Sequence, residues 1–541
     1  MLEEKKSTAV TNKMWFILIL FGIFGQIAWS VENMYFNVFV YETIAPQTSA
    51  VTLMVQASGI IATVTTLFAG ALSDKLGNRR HFISIGYIIW GIITLSFAFI
   101  TKDNTAAIFG ISDPEKIITT TILVVVFMDC VMTFFGSASN DGAFNAWVTD
   151  NTDLTNRGKV EGVLSALPLL ALLIVAGGFG LIKDAIGYAG IFIILGSLVS
   201  IAGIVGLLTI KDAPLLVRDV EGNYFKDIVY GFRPSVIKKN KMLYIVLIAM
   251  CLFSISSQIY MPYLIIYMTQ YLKFSTIEYS VILGSVVLIA AVSAALLGRL
   301  ADKIGKSKLL FIGTGIYLAG LFALFFIRAT MPKSTLLVLM GGLGLIMIIG
   351  SILLTILLNA MIRDNTPQDK AGKFQGIRMI FFVLIPMFIG PAIGDAFNQR
   401  AAVMDPATYT YYDPVAQVTA NVPTPVLFLV AASIAVLVII PLLYITNKLK
   451  NPDIGGDGDK PNKLLTEWGE NIDIDNILKD YPRPQLERNS YINLNGVWQY
   501  AIINKDSVLD NYQGEILVPF APECILSGVE REVMPDDVLY Y

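Results

Sequence analysis

Twelve apolar runs of 20 to 29 residues follow one another along the first 446 positions. They lie at roughly 15–43, 50–73, 81–100, 119–147, 160–182, 187–210, 243–271, 277–299, 308–328, 335–361, 374–397 and 425–446. About 20 helical residues cross a hydrocarbon core some 30 Å thick, so each run is long enough to span a bilayer. The pattern predicts an all-α polytopic membrane protein with twelve transmembrane helices. Every second connection is rich in Lys and Arg. With the N-terminus placed in the cytoplasm, 25 of these residues through Lys450 lie inside and 7 outside. Basic loops stay on the cytoplasmic side, so a multi-pass cell-membrane protein with both termini in the cytoplasm is expected. The opening "MLEEKKSTAVTNK" mixes acidic and basic residues and lacks a small-residue cleavage site, so no removable signal peptide is expected.

The polar stretch 211–242 divides six spans from six. The expected organisation is a cytoplasmic N-terminus at 1–14, a six-helix bundle at 15–210, a cytoplasmic linker at 211–242 and a second bundle at 243–446. Repeats cross this divide. Gly70, Leu72, Asp74, Lys75 and Gly77 return as Gly298, Leu300, Asp302, Lys303 and Gly305 at a constant offset of 228. "NAWVTDNTDLTNRGKVEG" from Asn145 returns as "NAMIRDNTPQDKAGKFQG" from Asn359 at an offset of 214. Both pairs follow the second and fourth spans of their halves, which is the arrangement of two parallel repeats.

The turns "GALSDKLGNRR" and "GRLADKIGKSK" resemble the cytoplasmic signature of the major facilitator superfamily, G-x-L-x-D-[KR]-x-G-x-[KR]-[KR]. The resemblance covers about 15 to 446. Within it, "AWVTDNTDLTNRGKVEG" is similar to the glycoside–pentoside–hexuronide symporters and the related sucrose–proton symporters. The resemblance implies a monomeric transporter working by alternating access, with a cavity lined by spans one, four, seven and ten. It implies a cytoplasmic gate of charge pairs between helix ends, here Gly70, Asp74, Gly77, Arg79, Arg80, Asp302 and Gly305. Asp150, Arg157, Asp364 and Lys373 form its expected second layer. The basic residues also satisfy the positive-inside rule by themselves. An acid at the same place in both halves is not required by that rule.

Charge is scarce elsewhere. Hydrophobic residues make up 55% of the chain and charged ones 15%, against about a quarter charged in soluble domains. An ionisable group at membrane depth is therefore a functional candidate. Span one carries Glu32 in "WSVENMYFNVF", and Gln26, Ser30, Asn33, Asn37 and Tyr41 follow a 4-3-4-4 spacing that places them on one helical face. Span four carries Asp129, then Thr133, Ser137 and Asn140 along its face, with Asp141 and Asn145 nearer the cytoplasm. A carboxyl group facing a closed cavity can hold a proton and release it on hydration, the chemistry of a proton symporter. Glu32, Asp129 and Asp141 are the coupling candidates, although Asp141 also reads as a helix-end charge close to water. Gln26, Asn33, Asn37, Thr133 and Asn140 are the cavity candidates.

Span seven adds Gln258, then Tyr260, Tyr263, Tyr267 and Tyr271. Gln258 and Tyr263 are expected in the cavity, Tyr267 and Tyr271 in an interfacial aromatic belt. Span two has no acid before Asp74, whereas melibiose-type members hold sodium-site acids there, so a proton is expected rather than sodium. An acidic sugar would need a cavity cation, for which Arg378 near the cytoplasmic end of span eleven is available. Three cysteines and one histidine supply neither a disulfide framework nor a His-based metal site. No cofactor, metal or nucleic-acid partner is expected. The partners are a small sugar or glycoside, the proton and the lipid bilayer.

After Asn447 the composition changes. A Gly/Asp-rich linker spans 447–480, and 481–541 alternates apolar and polar residues between turn signals, as short strands do. "YPRPQLERNSYINLNGVWQYAI" and "GEILVPFAPECILSGVEREVMPDDVLYY" resemble the opening of the N-terminal sugar-binding jelly roll of family 2 glycoside hydrolases, the β-galactosidase and β-glucuronidase type. A jelly roll closes with about eight strands, about three are expected here, and the barrel that would carry a glycosidase's two catalytic carboxylates is missing. The chain as written is expected to be no enzyme. The leading reading is a secondary active transporter importing a glycoside or oligosaccharide by proton symport. The alternatives are a truncated transporter–glycoside hydrolase fusion or a membrane-tethered glycosidase, a sugar sensor, and a drug exporter on the same fold.

Overall fold

The computed structural model describes residues 11–76, 78–152, 157–211, 232–304, 306–366, 371–413, 418–450, 490–534 and 536–541, with 469, 472, 473 and 477. The chain forms two compact units, Met1–Pro452 and Asp453–Tyr541.

In the first unit, eleven described helices are long and apolar enough to cross a membrane. Span one is Asn12–Ile44, two Thr48–Phe68, three Arg79–Phe99 and four Pro114–Asp150. Span seven is Lys241–Tyr271, eight Thr276–Ser293, nine Lys308–Phe325, ten Lys333–Asn365, eleven Gly376–Met404 and twelve Val426–Asn447. The remaining helix, Ala166–Thr209, has 44 residues. At 1.5 Å per residue it measures about 66 Å, twice the hydrocarbon thickness. Gly187 interrupts it with φ 66° and ψ −179°, a conformation open to glycine and costly for other residues. The segment is therefore two helices that meet at Gly187, and they supply spans five and six.

Local sequence explains the helix starts. Thr11 accepts a hydrogen bond from the Met14 amide at 3.2 Å. Asp113 accepts from the Glu115 and Lys116 amides ahead of Pro114, a cap followed by a proline at the first helical position. Helix Lys102–Phe109 ends at Gly110 in the left-handed conformation.

Two hydrophobic cores form, one of first-half residues and a larger one of second-half residues that also takes in Val38, Tyr41, Val51, Val55 and Ala176, and Met34 and Tyr188 pack against both. Glycines let helix backbones meet inside each half. A Cβ on Gly91 of span three would lie 2.2 Å from Ser200 Oγ and 2.4 Å from the Gly196 carbonyl of span six. A Cβ on Gly350 of span ten would lie 2.4 Å from the Tyr317 amide nitrogen of span nine. Close approach through small residues is how helices associate where lipid removes the hydrophobic drive between them.

The offset-214 repeat is visible in the bonding. Asn145 Nδ2 donates to the Asp141 carbonyl, and Asn359 Nδ2 to the Thr355 carbonyl. Asn151 donates to the Trp147 carbonyl as Asn365 does to Met361, each at 2.8 Å. Thr152 and Thr366 close the same turn onto Val148 and Ile362. The repeated Asn-Thr therefore builds one helix ending twice. Several spans also widen into π turns: Glu32–Phe36 and Val40–Ile44 in span one, Ser137–Phe144 in span four and Ile380–Leu384 in span eleven.

Between spans eleven and twelve lies a hairpin that the apolar pattern does not announce, β1 (Thr410–Asp413) against β2 (Val418–Asn421). The second unit holds β3 (Gly496–Asn504), β4 (Gly514–Val518) and β5 (Asp537–Tyr540). They form an antiparallel sheet in the order β4-β3-β5, with Trp498 opposite Ile516 and Ile502 opposite Leu539. Ala501, Ile502 and Ile516 are buried against it.

Candidate functional site

The acids of spans one and four come together inside the first half. Glu32 opens the π turn of span one and is buried. Thr133 Oγ1 of span four donates to Glu32 Oε1 at 3.0 Å, and Oε2 has no hydrogen-bond partner. Asp129, one turn from Thr133, is 1% exposed, and neither of its carboxylate oxygens has a partner. Asp129 and Asp141 both lie within electrostatic reach of Glu32. An isolated charge in such a place is costly. The arrangement suits carboxyl groups that carry a proton, with Thr133 fixing one of them.

Asp141 sits on the π turn of span four. Asn140 Nδ2 donates to it at 3.0 Å, and Tyr87 Oη of span three donates to Asn140 Oδ1 at 2.8 Å. Tyr87 also reaches the Phe21 carbonyl at 2.8 Å, so one tyrosine ties spans one, three and four. Gly25 makes room for this, since a Cβ there would lie 2.5 Å from Asn140 Oδ1.

The stripe expected on span one is not one face. Gln26 and Ser30 are half-buried and Asn33 is exposed, while Asn37 and Tyr41 are buried. The two π turns change the angular step along the helix, which a fixed 3.6-residue period ignores. Asn33 and Asn37 donate to the Trp29 and Asn33 carbonyls. The Tyr41 hydroxyl reaches the Asn421 carbonyl at 2.7 Å.

On span seven, Gln258 is half-buried. Tyr263 is fully buried; its hydroxyl donates to the Pro391 carbonyl at 2.9 Å and lies 2.6 Å from Thr52 Oγ1. It belongs to a seam between the halves, not to an open cavity wall. Tyr267 and Tyr271 correct the aromatic-belt expectation. Both are buried, stacked with centroids 5.2 Å apart, and Tyr271 stacks on Tyr409 at 5.8 Å. A 3-10 turn at Met261–Tyr263 and a π turn at Tyr267–Tyr271 aim them into the second core.

At the end of the bundles carrying the Lys/Arg-rich connections, Arg79 Nε meets Asp150 Oδ2 at 2.5 Å, joining the start of span three to the end of span four. Arg80 donates to the Leu207 carbonyl of span six. Asp364 is exposed at the end of span ten. Gly70 lies in the helix Thr48–Leu76; Gly77 and Gly305 lie outside the described residues, as do the side chains of Asp74, Arg157, Asp302 and Lys373.

At the opposite end, polar contacts cross between the halves. Thr48 Oγ1 donates to Asp395 Oδ1 at 2.5 Å, and Gln56 Nε2 donates to the Phe388 carbonyl at 2.7 Å. Thr276 reaches Asp184 at 2.9 Å. Within the first half, Lys183 Nζ pairs with Glu42 at 2.6 Å, and Tyr188 donates to the same oxygen at 2.7 Å.

Sequence reasoning passed over Asp395 and the stripe Ser351, Thr355, Asn359 on span ten. Asp395 interrupts an apolar run, the signal that singled out Asp129. The stripe recurs every four residues and is half-buried throughout, and Arg378 Nη2 donates to Asn359 Oδ1 at 3.1 Å. Among the described residues, no group of three His, Cys, Asp or Glu side chains stands close enough to hold a metal ion.

The sequence profile of the Major Facilitator Superfamily matches residues 14–391 and again 246–475. A multi-drug resistance efflux pump PmrA homolog from Lactococcus lactis is 23% identical over 303 residues, 53% of this chain and 71% of its own length. Among solved structures, an inward-facing, unoccupied bacterial homolog of the human lysosomal transporter Spinster aligns with TM-score 0.55. It is 13% identical and covers 82% of this chain and 99% of its own. The nucleoside transporter NupG (D323A mutant) aligns with TM-score 0.58 at 12% identity, over 80% of this chain and 99% of its own. With the family matched over most of the chain and the same fold in both structures, the chain is a membrane transporter that belongs to the Major Facilitator Superfamily.

Proposed function

We propose that the chain imports a glycoside or oligosaccharide by proton symport, with Glu32 and Asp129 carrying the proton and Asp141 nearest the exit. The observation that carries this reading is Asp129, enclosed beside Glu32 with both oxygens unpartnered. A proton removes the charge that such a place penalises, and water entering an open cavity restores it. Proton transfer thereby follows the rocking of the two halves. Gln26, Asn33, Asn140 and Gln258 in the candidate set, with Ser351, Thr355 and Asn359 of span ten, supply the amide and hydroxyl groups that polyols bond. The similarity of 481–541 to a sugar-binding domain supports a sugar. The basic connections support a cytoplasmic location for their end of the bundles and for both termini, and the Arg79–Asp150 pair supports a gate there.

The test is external pH in a weakly buffered suspension of cells expressing the full chain, with β-glycosides added one at a time. Alkalinisation with one sugar, abolished by Asp129→Asn, is the expected result. Labelled uptake that survives a protonophore without any pH change would reject Asp129 as the proton carrier. A second reading, proton-coupled export, is favoured by the efflux pump among the relatives. It predicts less labelled solute in expressing cells than in controls, with a protonophore erasing the difference.

A further inference from the structure

Three residues of span two, each four apart, face span eleven in register. Thr48 bonds Asp395; Thr52 lies against Tyr263, which bonds the Pro391 carbonyl; Gln56 bonds the Phe388 carbonyl. Residues at i, i+4 and i+8 share one helical face; Thr48 and Gln56 bond span eleven directly, at 395 and 388, and Thr52 reaches Pro391 between them through Tyr263. One turn further, a Cβ on Gly59 would lie 2.8 Å from Met387 Cβ, so the seam becomes apolar at the middle of the bundles. Pro391 has no amide hydrogen, which removes one bond from the backbone ladder of span eleven, close to the Phe388 carbonyl that accepts from Gln56 of the other half.

We infer that this stripe is a polar zipper closing the external face of the transporter, with Asp395 as its positioning residue. The inference rests on the alternating-access reading and on the charge asymmetry that puts this end outside. Asp395 is held from both sides, Thr48 Oγ1 on one oxygen and Gln399 Nε2 on the other at 2.7 Å. It stands at the first residue of the span-two helix, where the aligned peptide dipoles favour a negative charge. Polar bonds suit a seam that must part in every cycle. Water entering the gap replaces each lost hydrogen bond, so the separated surfaces are not left unsatisfied. An apolar seam of the same length gains no such compensation on wetting. Tyr263 adds span seven to the same layer, so span eleven cannot leave span two without moving the helix that faces the cavity.

The test is electron–electron distance measurement on the full-length protein in lipid nanodiscs. Nitroxides replace Asn104 and Tyr412, two exposed positions on connections of opposite halves at this end. Cys130, Cys251 and Cys524 are replaced by Ser in this background. The parent is expected to show a short distance and a minor long one. Asp395→Ala and Thr48→Val should each raise the long-distance population, by roughly threefold to tenfold per lost hydrogen bond. Thr48→Val preserves volume, so it reports on the bond even if Asp395→Ala folds poorly. An unchanged distribution in both variants, with a parent that samples two distances, would overturn the zipper. A parent with one distance at every pH and with every solute tried would instead bring down the alternating-access reading.

Discussion

Asp129 and Asp395 are both carboxylates at membrane depth, and the structure treats them oppositely. Asp395 receives hydrogen bonds on both oxygens, whereas Asp129 receives none. The first arrangement holds a charge in place, and the second suits a group whose charge comes and goes. Sequence pattern located Asp129 because apolar residues flank it, but it could not separate a bonded acid from an unbonded one. That distinction depends on a threonine 347 residues away in the chain. Glycines divide in the same manner. Gly91 meets backbone atoms of span six, while nothing lies within 4 Å of a Cβ on Gly342. Gly91→Ala should destabilise the purified protein by about 1–3 kcal/mol through overpacking. Gly342→Ala, in the helix Lys333–Asn365, should be neutral or stabilising by up to about 1 kcal/mol. Thermal midpoints in one detergent compare the two, and equal shifts would contradict this packing.

At the scale of elements, most of the architecture was legible in the chain. Twelve apolar runs and the repeat at 214 correspond to features of the bundles. Legibility failed where the helical step changes. The π turns of span one rotate the residues beyond them, so the expected stripe through Tyr41 passes from an exposed Asn33 to a buried Asn37 and Tyr41. Hydropathy also could not foresee the β1–β2 hairpin, which is short and only partly buried. The helix ends at the basic face yield a prediction of their own. Arg79 and Asp150 join spans three and four at that end. Asp150→Arg alone should abolish solute transport, and combining it with Arg79→Asp should recover a measurable part. A half-exposed pair of this kind contributes only about 0.2–1 kcal/mol to stability. A double variant as inactive as the single one, at equal membrane abundance, would show that more than the pairing matters there.

For the whole molecule, the two units pose separate questions. Met1–Pro452 contains every described helix long enough to span a membrane. A chain ending after Pro452 should therefore take up solute as the full chain does, measured as initial rate per molecule in the membrane. Loss of uptake in a correctly inserted truncated chain would make the β3–β5 unit part of the transport cycle. The resemblance of that unit to a sugar-binding jelly roll came from residue motifs, and three strands of a sheet are what it shows. The bundles were readable because lipid demands length and apolarity; cavity chemistry was less so, because solute preference depends on which side chains converge.

The repeat at 214 pairs Asp141 with Thr355, two positions whose carbonyls receive the same asparagine bond. Duplication thus left one copy of this helix ending with an acid and the other with a hydroxyl. The two copies are consequently free to drift under different pressures. Under the coupling proposed for Glu32 and Asp129, a lineage could retune what the second half recognises without disturbing the proton site of the first, so related chains with one energy source and many cargoes are what such a design should leave behind.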